Sequence, residues 1–466
     1  MTDEVQTPAS ELRSFLDLEA LRDWVERQRW YASKSRHVTA IEISESVVLS
    51  EDPMLLLALV QARFATGQHE LYQLALGFRR VGDGTEQDSI AVTEGWSVYD
   101  ALGEPAQAHE LLRRIDAGEE LDTGEGCLRF RAVDGTLAVP VDAVVRPIGV
   151  EQSNTSLVFG SELVLKIFRK LEPGINPDLE VLRFLTAREF PNIAALRGWF
   201  EYDGRAFAAT LGLAQTFLPD ATDGWELALD RIESDPEGLL GLLGSLGTVT
   251  AEMHSTLASD ANDPAFAPEE PSNESLSLLT ATIDEDIERI FLRLPDDERL
   301  APIAGRGQDV RERLAARSQL GPGGRVIRIH GDFHLGQTLH TPRGWVIIDF
   351  EGEPARQLPE RRLKRSPLRD VASMLRSFAY ATSALEILRG GSAPPDFEER
   401  ASATFLEHYF AAVDPALLPG GEAAVANLLS IFELEKAIYE LQYELDNRPD
   451  WITIPVAGIV RMLESS

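Results

Sequence analysis

Two short apolar runs, residues 326–329 and 346–348, each hand the chain on to an acidic residue. The first leads into His330-Gly331-Asp332-Phe333-His334-Leu335-Gly336-Gln337, the second into Asp349-Phe350-Glu351. Read as neighbouring strands of a hairpin-like insert, they bring Asp332, the Gln337 amide and Asp349 to one end of the insert. Two acids and an amide oxygen converging in this way fit a divalent cation, and few folds deliver that set from two adjacent strand ends.

These residue types suit phosphoryl transfer, which needs placement and charge neutralisation more than covalent help. In a protein-kinase-like layout Asp332 orients the acceptor hydroxyl and takes its proton, while Gln337 and Asp349 supply hard oxygen ligands for Mg²⁺. A metal-hydrolase reading with His330 and His334 as ligands is weaker: the pair sits in a loop, lacks the His-Glu-x-x-His helix spacing, and has no evident third ligand. Upstream, Lys166 stands inside the apolar run 163–168, where an ammonium requires an anion. The expected partners are nucleotide phosphates and Glu180, on the helix expected at 177–186. Between the strands before it, Gln152, Ser153, Asn154, Thr155 and Ser156 occupy the place of a phosphate-covering loop. No Gly-Lys pair occurs, so a Walker-type loop is excluded.

The rest of the chain sets the scale. At 466 residues it exceeds one compact core, and its 44% hydrophobic and 26% charged residues are those of an ordinary globular chain. Antiparallel strands with one helix are expected over 1–90, a mixed lobe over 91–217 and a mainly helical lobe over 218–466. The net charge of −32 disfavours nucleic acid and anionic membrane surfaces. One cysteine, Cys127, precludes an internal disulfide, and the acidic start lacks an apolar signal core, so a cytoplasmic protein is expected. Five lysines (34, 166, 170, 364 and 436) stand among 44 basic residues, which makes each one informative. The run Arg356, Arg361, Arg362, Lys364, Arg365, Arg369 reads as a solvated basic face, with help in holding an anionic substrate or product as the alternative. On the last long helix, Lys436, Tyr439, Glu440 and Tyr443 share one face.

Several segments together resemble bacterial maltokinases of the aminoglycoside-phosphotransferase and eukaryotic-like kinase superfamily. They are His330 to Gln337, Asp349-Phe350-Glu351-Gly352-Glu353-Pro354, the stretch 366–378, Lys166 to Arg169, and Thr222-Asp223-Gly224-Trp225. At Tyr31 to Arg36 this chain departs from relatives that tend to carry glycines. The resemblance implies an α+β, bilobal protein-kinase-like fold with an N-terminal cap. It also implies phosphorylation of maltose by ATP to α-maltose 1-phosphate, in a route from trehalose to α-glucan or glycogen. Implied with it are an ATP hinge at Gln215, Phe217 and Leu218, a sugar site of His334, Lys436, Tyr439, Tyr443 and Trp451, trehalose synthase as a functional partner, and a monomer or weak dimer. The alternatives are a kinase for glucosamine or another sugar, and a pseudokinase that serves as a regulatory subunit of trehalose synthase.

Overall fold

The computed structural model describes residues 13, 15–31, 33–83, 89–133, 135, 137, 139–140, 142–148, 154–318 and 323–464. Contacts divide the chain into two units, Met1–Arg183 with Ala194–Pro219, and Phe184–Ile193 with Asp220–Ser466. Among the described residues no helix is long and apolar enough to cross a membrane.

The first unit opens with helix α1 (Leu18–Arg27), capped by the Asp17 carboxylate, which accepts from the N–H groups of Glu19 and Ala20. Strands β1 (Val38–Glu51), β2 (Met54–Phe64), β3 (His69–Arg80), β4 (Ser89–Thr93) and β5 (Trp96–Asp100) follow. They form an antiparallel sheet in the order β1-β2-β3-β5-β4. Alternate residues of β2 and β3, such as Leu56, Ala58, Val60, Tyr72, Leu74 and Leu76, bury against Leu21, Val25 and Trp30. The sheet passes the expected limit at residue 90 and ends at Asp100, because β5 is the strand that joins β3 to β4.

Next come α2 (Pro105–Ala117), β6 (Glu120–Asp122), β7 (Gly126–Ala132), β8 (Val145–Pro147), β9 (Asn154–Phe159), β10 (Leu163–Phe168), β11 (Lys170–Leu171), α3 (Pro177–Ala187), β12 (Leu196–Gly204) and β13 (Ala208–Thr216). Seven strands make a second antiparallel sheet, β6-β7-β12-β13-β10-β9-β8, while β11 pairs with β3 of the first. Gln73 ties the sheets together: its buried amide donates to the carbonyl of Phe168 at 2.7 Å and to that of Leu211. The apolar alternation of residues 136–139 reads in the sequence as a short strand, but Thr136 and Ala138 lie outside the described residues.

The second unit carries β14 (Thr222–Asp223), α4 (Gly224–Ser234), α5 (Pro236–Leu257), α6 (Asn273–Phe291), α7 (Gly307–Arg317), β15 (Thr338–Thr341), β16 (Gly344–Ile347), α8 (Leu358–Arg361), α9 (Leu368–Arg389), α10 (Phe397–Ala412), α11 (Glu422–Asn447) and α12 (Thr453–Glu464). The last two helices pack on α6 and α7 through Ile283, Ile287, Leu314, Ile438, Leu441 and Ile459. Helices α9 and α11 are clamped by Arg376, whose guanidinium donates twice to Glu440 Oε2, at 2.9 and 2.7 Å, with both side chains buried. The apolar run 326–329 is not a regular strand. Val326 and Ile327 make single bridges, to Glu269 and Arg365, because loop residues rather than a strand lie alongside them.

Candidate active site

In the second unit the segment after residue 329 is held from behind by one carboxylate. Asp370, on the first turn of α9 and 1% exposed, accepts from the backbone N–H of His330 (2.8 Å) and of Gly331 (2.9 Å), and meets His254 Nε2 at 3.1 Å. These partners hold its pKa below the usual carboxylate range although burial alone would raise it. Gly331 turns through φ +86°, where a side chain is strained, and an added Cβ would lie 3.3 Å from Gly352 Cα. His330 points inward: its Nε2 meets the Ile348 carbonyl at 2.9 Å and its Nδ1 lies 3.4 Å from the Asp332 N–H. Both ring nitrogens face the protein's own backbone, which removes the metal-hydrolase reading.

This anchoring presents Asp332, His334 and Gln337 together. The Leu335 N–H donates to Ser377 Oγ, and His334 Nδ1 accepts from the Gly336 N–H at 3.1 Å. Burial pushes the His334 pKa down, against the pull of Asp332 and Asp349, so the ring is neutral, and with Nδ1 accepting from Gly336 its proton lies on Nε2, which has no hydrogen-bond partner among the described residues. Strands β15 and β16 return the chain, and Ile348 N–H bonds the Gln337 carbonyl at 3.1 Å. Asp349 then takes a left-handed backbone, φ 65°, a conformation that costs about 1–2 kcal/mol for a residue with a side chain. Its Oδ2 lies 3.1 Å from Gln337 Nε2. Asp332, Gln337 and Asp349 are thus brought to one neighbourhood of the second unit.

Lys436, from α11, reaches the same neighbourhood. Its ammonium is 3.5 Å from Asp332 Oδ1 and 3.6 Å from Glu353 Oε1. Burial opposes its charge, yet Asp332 and Glu353 outweigh this and raise its pKa above the ordinary lysine value. Tyr439 lies one turn on, with the Lys436 ammonium 5.0 Å from its ring centroid. Tyr439 and Tyr443 stack at 6.4 Å and are 39% and 43% exposed, so neither is a core residue. Arg448 spans from the Tyr443 ring to that of Trp451, at 5.2 and 4.9 Å, and Trp451 stacks on Tyr380. All five expected sugar-site residues therefore belong to the second unit, four of them along one aromatic strip.

In the first unit Lys166 is 7% exposed on β10, with Ser156 of β9 and Leu213 of β13 opposite it in the ladder. Its ammonium lies 3.0 Å from Asp178 Oδ2. The kinase-like layout of the sequence points to Glu180 and gives no sign of Asp178, two residues earlier on the same helix turn. Both stand buried in the first turn of α3, where the helix dipole favours acids, and the Asn176 side chain accepts from the Asp178 N–H. Asn154, Thr155 and Ser156 are residues of β9 rather than of a loop, because they pair with Phe168, Ile167 and Lys166. With Trp30 and Arg169 they line a cavity of about 550 Å³. Gln152 and Ser153 lie outside the described residues. Gln215 is the second-last residue of β13, opposite Val164, Phe217 N–H donates to the Glu162 carbonyl, and Leu218 follows near the limit of the unit.

The basic run is not a solvated face: none of Arg356, Arg361, Arg362, Lys364, Arg365 and Arg369 is fully exposed. Glu353 and Glu435 draw Arg356 and Arg369 inward as ion pairs. Asp370 and Glu353 were also missed as functional groups. Both sit inside motifs the sequence makes conspicuous, but only their partners in space reveal what they hold.

Comparison with known proteins agrees with this geometry. The family described as maltokinase N-terminal cap domain matches residues 24–103, and the phosphotransferase enzyme family matches residues 144–387. A glucosamine kinase of Streptacidiphilus jiangxiensis is 26% identical over 344 residues, covering 70% of this chain and 75% of that protein. One of Mycolicibacterium smegmatis is 28% identical over 338 residues, 68% and 79% of the two chains. Among solved structures, a glucosamine kinase in complex with glucosamine, ADP and inorganic phosphate superposes with a TM-score of 0.69 at 19% identity, covering 95% of this chain and 99% of that one. A second crystal form of glucosamine kinase reaches a TM-score of 0.72. These likenesses establish an α+β, bilobal kinase-like fold. The chain belongs to the phosphotransferase enzyme family and carries the maltokinase N-terminal cap domain.

Proposed function

We propose that the protein is an ATP-dependent sugar kinase whose acceptor is maltose, converted to α-maltose 1-phosphate. Asp332 receives the proton of the anomeric hydroxyl as its oxygen bonds to the terminal phosphorus of ATP, and ADP departs. His334 donates from Nε2 to a sugar hydroxyl. Tyr439, Tyr443 and Trp451 offer ring faces to the C–H patches of the two sugar rings. Lys166, with Asp178 and Glu180, and the β9 residues Asn154, Thr155 and Ser156 serve the nucleotide, along with Gln215, Phe217 and Leu218. Gln337 and Asp349 fit Mg²⁺, since an amide oxygen and a carboxylate are the hard donors it prefers and Asp349 is held in place by its left-handed backbone. When bound, Mg²⁺ neutralises charge on the transferring phosphate.

The observation that carries the acceptor assignment is the charged ammonium of Lys436 3.5 Å from Asp332, where the acceptor must lie. A neutral disaccharide meets it without penalty, and a long aromatic strip suits two rings. The ammonium of glucosamine would meet a like charge. The glucosamine kinase names of the relatives favour the second reading, a kinase for glucosamine. A cytoplasmic setting and maltose supplied by trehalose synthase accompany the first.

Initial-rate assays with maltose, glucose and glucosamine as acceptors test it. We expect kcat/KM to favour maltose by about ten-fold or more, roughly 1.4 kcal/mol. A preference for glucosamine overturns the assignment. Asp332→Asn should lower kcat about 10²–10⁴-fold. ATP turnover that ignores the sugar and survives Asp332→Asn would instead point to a regulatory pseudokinase.

A further inference from the structure

The half-buried basic run has a structural consequence in the second unit. Arg362, Lys364, Arg365 and Arg369 join Arg328 along a cavity of about 810 Å³, a size suited to a small organic ligand. Among the described residues this wall carries five cations and two carboxylates, Glu269 and Glu270, and Arg328 and Arg362 have partners of their own. Lys364 is engaged by Glu269, and Arg369 by Glu435. Arg365 differs from both. Among the described residues its guanidinium has no ion pair and no hydrogen bond, while its backbone is pinned by two hydrogen bonds to Ile327. Partial burial, reinforced by Arg369 and Arg356, pulls its pKa below the ordinary arginine value against the weaker pull of Glu435 and Glu360. A cation in that position gains most from an anion that can fork onto it, and a phosphate monoester does so.

The remaining wall bears hydroxyls, from Ser272, Ser275, Thr280 and Ser366, beside the apolar faces of Leu279 and Phe432. Hydroxyls, apolar faces and a free guanidinium together match a sugar carrying a phosphate. The cavity also shares Leu363, Arg365, Arg369 and Phe432 with the smaller hollow that contains Gly331, Lys436 and Tyr439. We infer that this cavity is a second binding site, for a phosphorylated sugar, with Arg365 holding the phosphate. It stands on the cavity and its cations alone, whichever sugar the kinase phosphorylates.

Calorimetric titration of the full chain without nucleotide tests it, using α-glucose 1-phosphate, inorganic phosphate and maltose as probes. Glucose 1-phosphate should bind the unaltered protein, at least about ten-fold more tightly than inorganic phosphate. Arg365→Gln and the cavity-filling Thr280→Trp should each weaken it at least about ten-fold, as expected for loss of a charge-assisted pair or of space. Tyr439→Ala should leave it in place. Absence of binding at millimolar concentration, equal affinity for inorganic phosphate, or unchanged affinity in a folded variant overturns the inference. So does loss of binding in Tyr439→Ala, which would put the ligand at the acceptor site. Circular dichroism checks each fold, and Thr280→Trp keeps the test alive if Arg365→Gln unfolds.

Discussion

Asp370 shows how one buried carboxylate can hold the whole segment that presents Asp332 and His334. It accepts two backbone N–H groups from His330 and Gly331 and contacts His254, which in turn meets the Tyr409 hydroxyl at 2.9 Å. Removing it leaves buried donors without partners. Asp370→Ala should therefore cost about 3–5 kcal/mol, read from urea unfolding near neutral pH. Its folded pKa is depressed, so its contribution is complete above the unfolded value of about 3.9 and fades as pH falls through the folded pKa. The gap between the unaltered protein and Asp370→Ala should accordingly narrow below about pH 4. A gap that widens in acid would contradict this account. At this scale the convergence of Asp332, Gln337 and Asp349 was legible in the sequence because they lie close together along the chain, on either side of one hairpin. The carboxylate that positions them was not, since Asp370 lies on a later helix and its partners are set by packing. The same holds for Asp178 and Glu180, which spacing alone does not separate as partners of Lys166.

Helix α11 divides its labour by face. Glu440, expected beside Lys436, Tyr439 and Tyr443, instead turns inward to Arg376, and Glu444 turns to Arg448 and the Tyr380 hydroxyl. Lys436, Tyr439 and Tyr443 turn toward Asp332 and solvent. Because Tyr439 is 39% exposed, truncating it removes little core packing. Tyr439→Ala should raise the acceptor KM about ten-fold, roughly 1.4 kcal/mol, and change the ATP KM less than about two-fold. Equal losses for both substrates would remove the helix from the sugar site. At the scale of elements the period of the cap strands and the long helices was readable, because each buries one face over many residues. Short segments were not. The apolar run 326–329 looks like a strand but meets only single bridges, and Asn154 to Ser156 look like a polar turn but complete β9 beside β10. In both, pairing partners far along the chain decide the state.

The whole molecule carries 76 acidic against 44 basic side chains, and this excess acts at a range no single ion pair reaches. Many surface pairs, such as Arg63–Glu42 and Arg389–Asp230, are more than a third exposed on at least one side, so each contributes little and salt weakens each only slightly. The net repulsion is a sum over the whole surface. It is felt across about 30 Å at 10 mM salt and about 8 Å at physiological ionic strength. Unfolding separates the charges, so repulsion destabilises the folded chain most where screening is weakest. Raising sodium chloride between those two conditions at pH 7.5 should therefore raise the thermal midpoint by about 1 °C, on the order of 1 kcal/mol for a chain of this length. Near the sequence pI of about 4.6 the net charge vanishes, and the same addition should have little effect or a small opposite one, because only the attractive pairs remain to be screened. Differential scanning calorimetry at the two pH values measures both. A midpoint that falls with salt at pH 7.5 would mean that local ion pairs, including the buried Lys436 and Arg376 contacts, outweigh the global excess in setting the stability of this fold.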